Sequence, residues 1–298
     1  MRTLVIQSFR TETVPSPIER CMASVRDWAK LNGYDYEFRG DELFEVCGAD
    51  YLACAGDNKR TITNLARLEW IRSSLADGYD RAIWLDADIF IFDQARFSLD
   101  IQEGYAFSKE TIVWWAGGPM VSHATHNAAL VFAGHHPDLD VIIKLIRHIA
   151  ATRPLKDNFQ VGVKLLTGLH AGLSFPLLTN VGMFSPDTIH SIARQRPTLS
   201  RILAKEHGFP IYAANIAMTN YDQAEHRDLG RAMDILEATG GRVINRYLGA
   251  DPPAPLLVDE YGSTFRPILR PSLPRRVANG LLPTNFKQRI APLFRAFR

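Results

Sequence analysis

Three short apolar runs, separated by helix-length amphipathic stretches, constrain this chain more than any other feature. Residues 3–9 are too short for a helix and rich in β-branched side chains, so they read as a buried strand. Residues 34–38 alternate aromatic and acidic residues, the pattern of a half-buried strand. Residues 82–85 form a third apolar run, which ends in Asp86-Ala87-Asp88. Between them, Ser16-Pro17-Ile18-Glu19 has the spacing of a capping box with proline in the first helical turn. Ile18, Cys21, Met22, Val25, Trp28 and Ala29 then share one helical face, and Gly33 ends it. Asp57 or Asn58 caps a second helix running to Ala76. Strand, crossover helix and strand in this order imply an α/β fold: a Rossmann-like, mixed but mostly parallel central sheet flanked by helices.

Composition narrows the classes. Of 298 residues, 46% are hydrophobic and 22% charged, enough apolar surface to exclude a disordered or fibrous chain. The 3 cysteines (Cys21, Cys47, Cys54) form no C-x-x-C pair, which excludes a disulfide scaffold or a cysteine-built zinc site. No stretch approaches the roughly 18 consecutive apolar residues of a spanning helix. Residues 1–9 read as a first strand rather than a signal peptide, so a reduced, cytoplasmic location is expected.

The second half is less regular. Residues 128–133 read as a strand, and 137–151 and 158–169 as helices. A further helix spans about 222–238. Residues 186–251 otherwise give no firm pattern, and after Asp251-Pro252-Pro253 the chain is proline-spaced. The expected organisation is a catalytic domain over 1–250 and a basic extension over 251–298. Eight Lys/Arg and no Asp or Glu lie in 261–298, which leaves a net −6 on the first 260 residues of a chain carrying +2. From Asn285, Phe286, Ile290, Leu293, Phe294 and Phe297 interleave with Lys287, Arg289, Arg295 and Arg298. Such a segment suits an anionic membrane surface, and equally a packed helix with a solvated basic face. It brings no nucleic-acid recognition module with it.

The chemistry is concentrated at Asp86 and Asp88. Asp-x-Asp spacing alone is uninformative: Asp138-Leu139-Asp140 repeats it after Pro137, where it reads as the acidic first turn of a helix. Asp86 differs because it follows a buried strand, and ligands in open α/β sheets bind at the carboxyl ends of strands. If the segment is extended, both side chains share one side and suit a hard divalent cation bound to phosphate; the bland alternative is a solvated turn. Gln7, Ser8 and Arg10 end the first strand, at the same carboxyl edge of the sheet. Trp114-Trp115 suits stacking on a sugar or core packing, and Gly117-Gly118-Pro119 a close backbone approach or a plain turn.

Trp84-Leu85-Asp86-Ala87-Asp88 resembles the Asp-x-Asp motif of nucleotide-sugar-dependent glycosyltransferases of the GT-A fold, closest to galactosyl- and glucosyltransferase-like groups. Three further segments keep that family's order: Arg67 in Asn64-Leu65-Ala66-Arg67, Asn127 in His126-Asn127-Ala128-Ala129, and Asp157 in Lys156-Asp157-Asn158-Phe159-Gln160. The resemblance covers residues 3–186. It implies a GT-A-like catalytic domain, a nucleotide-diphosphate sugar as donor, a glycan or lipid-linked acceptor, and Mn²⁺ or Mg²⁺ held by Asp86 and Asp88. It further implies donor contacts from Arg67 and Asn127, with Gln7, Ser8 and Arg10 beside the nucleotide base, and a base or acceptor contact from Asp157, whose plainer reading is a helix cap. A late histidine as third metal ligand matches poorly; His207 and His226 are the candidates, and His226 is taken for the set. The lipid-linked acceptor and basic tail together suggest a peripheral position on the inner face of the membrane.

Three other readings compete. A phosphohydrolase of the haloacid dehalogenase type needs Asp-x-Asp on the first strand and Thr or Val two residues later, whereas position 90 is Phe. A nucleotidyltransferase would want a glycine-rich loop after the first strand, and no glycine precedes Gly33. A catalytically silent sugar-nucleotide-binding protein would keep the same site without turnover.

Overall fold

A computed structural model describes residues 1–155, 157–216, 226–249 and 256–258. In chain order the elements are β1 (Thr3–Ser8), α1 (Ser16–Leu31), β2 (Asp35–Arg39), α2 (Ala49–Ala55), α3 (Lys59–Ala76), β3 (Arg81–Leu85) and β4 (Ile89–Ile91). They continue with β5 (Gly104–Trp115), β6 (Pro119–Ala133), α4 (Pro137–Thr152), α5 (Val163–Leu173), β7 (Leu177–Leu178) and β8 (Val181–Met183). The last are α6 (Pro186–Ala193), α7 (Pro197–His207), β9 (Ala213–Asn215), α8 (His226–Thr239), α9 (Arg242–Asn245) and β10 (Leu257–Val258).

The described strands form a 7-stranded sheet in the order β10-β7-β5-β6-β3-β1-β2 and a 3-stranded sheet β4-β9-β8. β2, β1 and β3 pair in parallel, as the strand–helix–strand spacing requires. β6 runs antiparallel to both β3 and β5, and β5 pairs in parallel with β7, so only β6 and β10 oppose the common direction. The sheet is therefore the mixed, mostly parallel one expected. Its edge strand β10 comes from beyond residue 250, so the sheet reaches into the segment expected to be an extension. The basic tail itself lies outside the described residues.

Both faces of the sheet are covered. Leu4, Ile6, Ala82 and Trp84 point into one core with α3, α4 and α5, while Val5, Ile83 and Leu85 point into another with α1. This is why β1 and β3 read as continuous apolar runs rather than alternating ones. A third core joins the far half of the β5–β6 hairpin, through Val113 and Val121, to α6, α7 and α8. The long hairpin thus belongs to all three.

Local chemistry explains most boundaries. The Asn58 side chain accepts the Thr61 amide at 3.1 Å and opens α3. The expected capping box on α1 does not form: Ser16 is already helical and extended Pro15 stands at the N-cap without a side-chain bond. The helix expected at 158–169 is split into a 3-10 turn, Asn158–Val161, and α5, because Gly162 between them leaves helical geometry at φ −122°.

Candidate active site at the end of strand β3

β3 and β4 are joined by a tight turn, Asp86-Ala87-Asp88-Ile89, closed by the Ile89 amide donating to the Asp86 carbonyl at 2.9 Å. The two carboxylates therefore sit on a turn, not on the extended segment that alternation assumed. The strand had to break here because β4 leaves the seven-stranded sheet to pair with β9. Asp86 hangs on the main sheet through its amide, which donates to the Ala128 carbonyl at 2.7 Å.

Each carboxylate is held differently. The Asp86 Oδ1 atom lies 3.0 Å from Arg67 Nη1 and accepts the Trp84 indole N–H at 2.6 Å. Its side chain keeps 22% exposure, against 6% for Arg67. Burial pushes the Asp86 carboxyl above its ordinary range, and the Arg67 charge and the Trp84 bond oppose that shift. Burial likewise lowers Arg67, opposed by Asp86 and Asp88, so both carboxylates act on one guanidinium. Asp88 Oδ1 accepts the Asn215 side-chain amide at 2.7 Å, from β9.

Arg67 is the hub. It reaches the turn from the middle of α3, bonds the carbonyl of Asn127, and lies over the Trp84 ring with its guanidinium carbon 5.1 Å from the centroid. Five donors in a rigid fork let one arginine serve carboxylate and carbonyl together. The Asn127 side chain donates to Asn64 Oδ1 at 3.0 Å, and Asn64 donates to the Asn158 carbonyl at 2.9 Å. α3, β6 and the 3-10 turn after Asp157 are thereby bonded side by side. Gly162 permits this approach, since a Cβ there would stand 2.8 Å from Asn64 Nδ2.

A bulge in β6 builds the other wall. Phe107 pairs with Leu130, but Ser108 pairs with His126, so Asn127, Ala128 and Ala129 are surplus to β5 at the level of the Asp86 turn. Bulges beside active sites re-aim side chains. The amide of Ala128 finds its acceptor in His126 Nδ1 at 2.8 Å. The proton on His126 is then on Nε2, which faces Glu110 Oε2 at 3.6 Å. Burial and the Arg67 charge push His126 down to about 3, so it is neutral, and burial raises Glu110 to about 7. The contact is a neutral imidazole beside a carboxyl, not an ion pair.

The remaining candidates are placed as follows. Gln7 is fully buried, donating to the Asp86 carbonyl at 3.2 Å and accepting the Tyr36 hydroxyl at 3.1 Å. Both ends of its amide bond protein groups, Nε2 the Asp86 turn and Oε1 Tyr36. Ser8 is half-buried near the Gly40 carbonyl, and Arg10 is exposed, bonding the Thr13 carbonyl at 3.1 Å. Asp157 forms a capping box with Gln160 and an ion pair with Lys164 at 3.0 Å. His207 is fully buried between Thr111 and the Thr179 carbonyl, which removes it from the candidate ligands. His226 opens α8, and its side chain lies outside the described residues.

Sequence reasoning did not single out Trp84, Asn64, Asn215 or Glu110 as site residues. For Glu110 the missed signal is the strand itself: Thr111-Ile112-Val113-Trp114-Trp115 followed by Ala116-Gly117-Gly118 reads as a hairpin arm. A separate surface depression of about 660 Å³ is lined by Glu69, Arg72 and His135. It lies toward the opposite end of β3, where Ala133 pairs with Arg81, and holds none of the candidates.

Two carboxylates are a fitting set for a hard cation. Magnesium takes one or two carboxylates together with phosphate oxygens and waters. Asp86 Oδ2 takes none of the bonds that hold Oδ1. Among the described residues no cluster of three or more His, Cys, Asp or Glu side chains suits a metal.

No family model matches this chain, and no curated protein matches it. Two solved structures are similar. One is a glycosyltransferase involved in the glycosylation of the major capsid of PBCV-1, at 12% identity over 76% of this chain and 98% of that one, with a TM-score of 0.39. The other is the PaToxG glycosyltransferase, at 11% identity over 80% of this chain and 87% of that one, with a TM-score of 0.37. Likeness at this level assigns no residue a role. No helix among the described residues is long and apolar enough to cross a membrane.

Proposed function

We propose that this chain is a glycosyltransferase that moves a sugar from a nucleotide-diphosphate sugar to a hydroxyl acceptor, a glycan or lipid-linked saccharide. One observation carries the reading: at the carboxyl end of the parallel strands, Asp86 and Asp88 leave the sheet on a turn locked by Arg67, Trp84 and Asn215. Preorganised carboxylates at a sheet switch point suit a cation–diphosphate, and a merely structural turn has no need of two.

Mn²⁺ or Mg²⁺ held by Asp86 and Asp88 would supply positive charge against the negative charge that grows on the leaving diphosphate. The protein's own part is to fix these groups. Arg67 and Trp84 set the Asp86 rotamer, Asn215 sets that of Asp88, and Gln7 braces the turn from below. The Arg67 guanidinium adds fixed positive charge at the site. Ser8 and Arg10 stand at the end of β1 as contacts for the nucleoside, and Asp157 borders the site as an acceptor contact. The basic segment 285–298 is proposed to rest on an anionic membrane surface, which liposome pelleting with and without it would check.

The deciding test is hydrolysis of UDP- and GDP-sugars with and without Mn²⁺, comparing the parent chain with Asp88→Ala. Metal-dependent turnover that vanishes in the variant, with an unchanged circular-dichroism spectrum, is expected. Nucleotide binding without turnover for any donor would instead support a silent binding protein.

A further inference from the structure

We propose that Glu110 is the residue that takes the proton of the incoming acceptor hydroxyl. The inference rests on the glycosyl-transfer reading and names a group within the same site.

Glu110 has the placement the step needs. It lies one alternation along β5 from Ser108, which pairs with His126, so Glu110 and His126 share one face of the hairpin. His126 directly precedes Asn127, whose carbonyl holds Arg67, and Arg67 holds Asp86. The Glu110 face is also the open one. Toward the hairpin tip Ile112, Trp114, Met120 and Ser122 on it are half-buried, while Ser108 and Ala124 next to Glu110 are buried, as are Lys109, Thr111, His123 and Thr125 on the other face. An apolar and aromatic strip ending in a carboxyl suits a hydroxylated ring laid along the hairpin.

Its bonding is the second argument. Glu110 takes part in no hydrogen bond among the described residues; His126 Nε2 lies 3.6 Å from its Oε2, beyond hydrogen-bond distance. A structural carboxyl with 13% exposure would ordinarily be paired. Asp157, by contrast, has both oxygens engaged, Oδ1 by the Gln160 amide and Oδ2 by Lys164, each at 3.0 Å.

The surrounding charges leave Glu110 the titrating group. His126 is neutral and Arg67 stays charged behind it. Lys109, His123, Glu206 and His207 form a network on the opposite face of the hairpin, and on α6 Asp187 is spent on the Trp115 amide. On α5, Lys164 pairs with Asp157 and His170 is buried. Burial holds Glu110 near 7, where a general base is effective at neutral pH.

In the step, the acceptor oxygen bonds to the anomeric carbon as the bond from that carbon to the diphosphate oxygen breaks. The electron pair of that bond leaves with the nucleoside diphosphate, and the hydroxyl proton passes to a Glu110 carboxylate oxygen.

The test uses the full chain. Binding of UDP and GDP with Mn²⁺ is measured by calorimetry for the parent, Glu110→Gln and Glu110→Asp, and turnover of the matching nucleotide sugars is followed against pH with water as acceptor. Expected are nucleotide affinities within about twofold of the parent and a kcat lowered in Glu110→Gln by roughly 10²- to 10⁴-fold. The parent's acid limb near pH 7 should vanish, and Glu110→Asp should fall between. Parent-like kcat and pH profile in Glu110→Gln would overturn the proposal while leaving the transfer reading intact. A parent that binds no nucleotide would overturn both.

Discussion

Asn215 donates its side-chain amide to Asp88 at 2.7 Å, joining residues 127 positions apart. The bond ties β9, in the small sheet, to the turn that ends β3 in the large one. Replacing Asn215 with Ala should leave the fold intact and lower Mn²⁺ affinity in the presence of nucleotide by about 10-fold or more, because Asp88 loses one orienting bond. Titration of free Mn²⁺ by electron paramagnetic resonance checks this.

Arg67→Met should be far costlier. It strands Asp86 as a largely buried carboxylate and leaves the Asn127 carbonyl without its donor. Removing one partner of a buried pair costs about 3–5 kcal/mol. Urea unfolding should show it, and Arg67→Lys should recover only part, since one ammonium cannot replace the fork.

Gly162→Ala should disturb the site from outside it. The added Cβ would meet the Asn64 amide at 2.8 Å and the Asn158 carbonyl at 3.1 Å. Overpacking of this kind costs about 1–3 kcal/mol. Thermal unfolding gives the cost, and loss of nucleotide affinity would show that Asn64 carries the displacement to Asn127.

Glu110 makes stability depend on pH. Its folded value, about 7, lies above the ordinary 4.5, so the stability tied to it is fully present below about pH 4.5 and lost as pH rises through 7. Glu110→Gln should therefore match the parent at pH 4 and exceed it at pH 8, by on the order of 3 kcal/mol. His126, pushed from 6.5 to about 3, works in the opposite sense: its contribution is present above pH 6.5 and lost on acidification. Equal stability of the two chains at pH 8 would contradict the burial assigned to Glu110.

Much of the frame was legible in the sequence because β1, β2, β3, α1 and α3 are set by local rules, each apolar run having one period and one terminator. Asp86, Arg67 and Asn127, singled out from the sequence, lie in contact. The bracing bonds of Gln7 were not legible, because strand alternation says which side a residue faces, not that Tyr36 and the Asp86 carbonyl meet its amide. The turn at Asp86 was misread because leaving the sheet depends on β9, a partner far along the chain. β7, β8 and β9 are two or three residues long, too short to show any period, and exist through pairing alone. Placing His126 beside Glu110 needs the β6 bulge, which no local pattern encodes.

The shared hairpin limits how such a protein can adapt. With its near half fixed in the seven-stranded sheet and its far half packed on α6 and α7, it would act in the proposed transferase as a common spine between the Asp86 turn and the strip of Ile112 and Trp114. Changes in acceptor size would then be met at the Ala116-Gly117-Gly118 tip and in the side chains along the strip, while the spacing between the two ends stays constant.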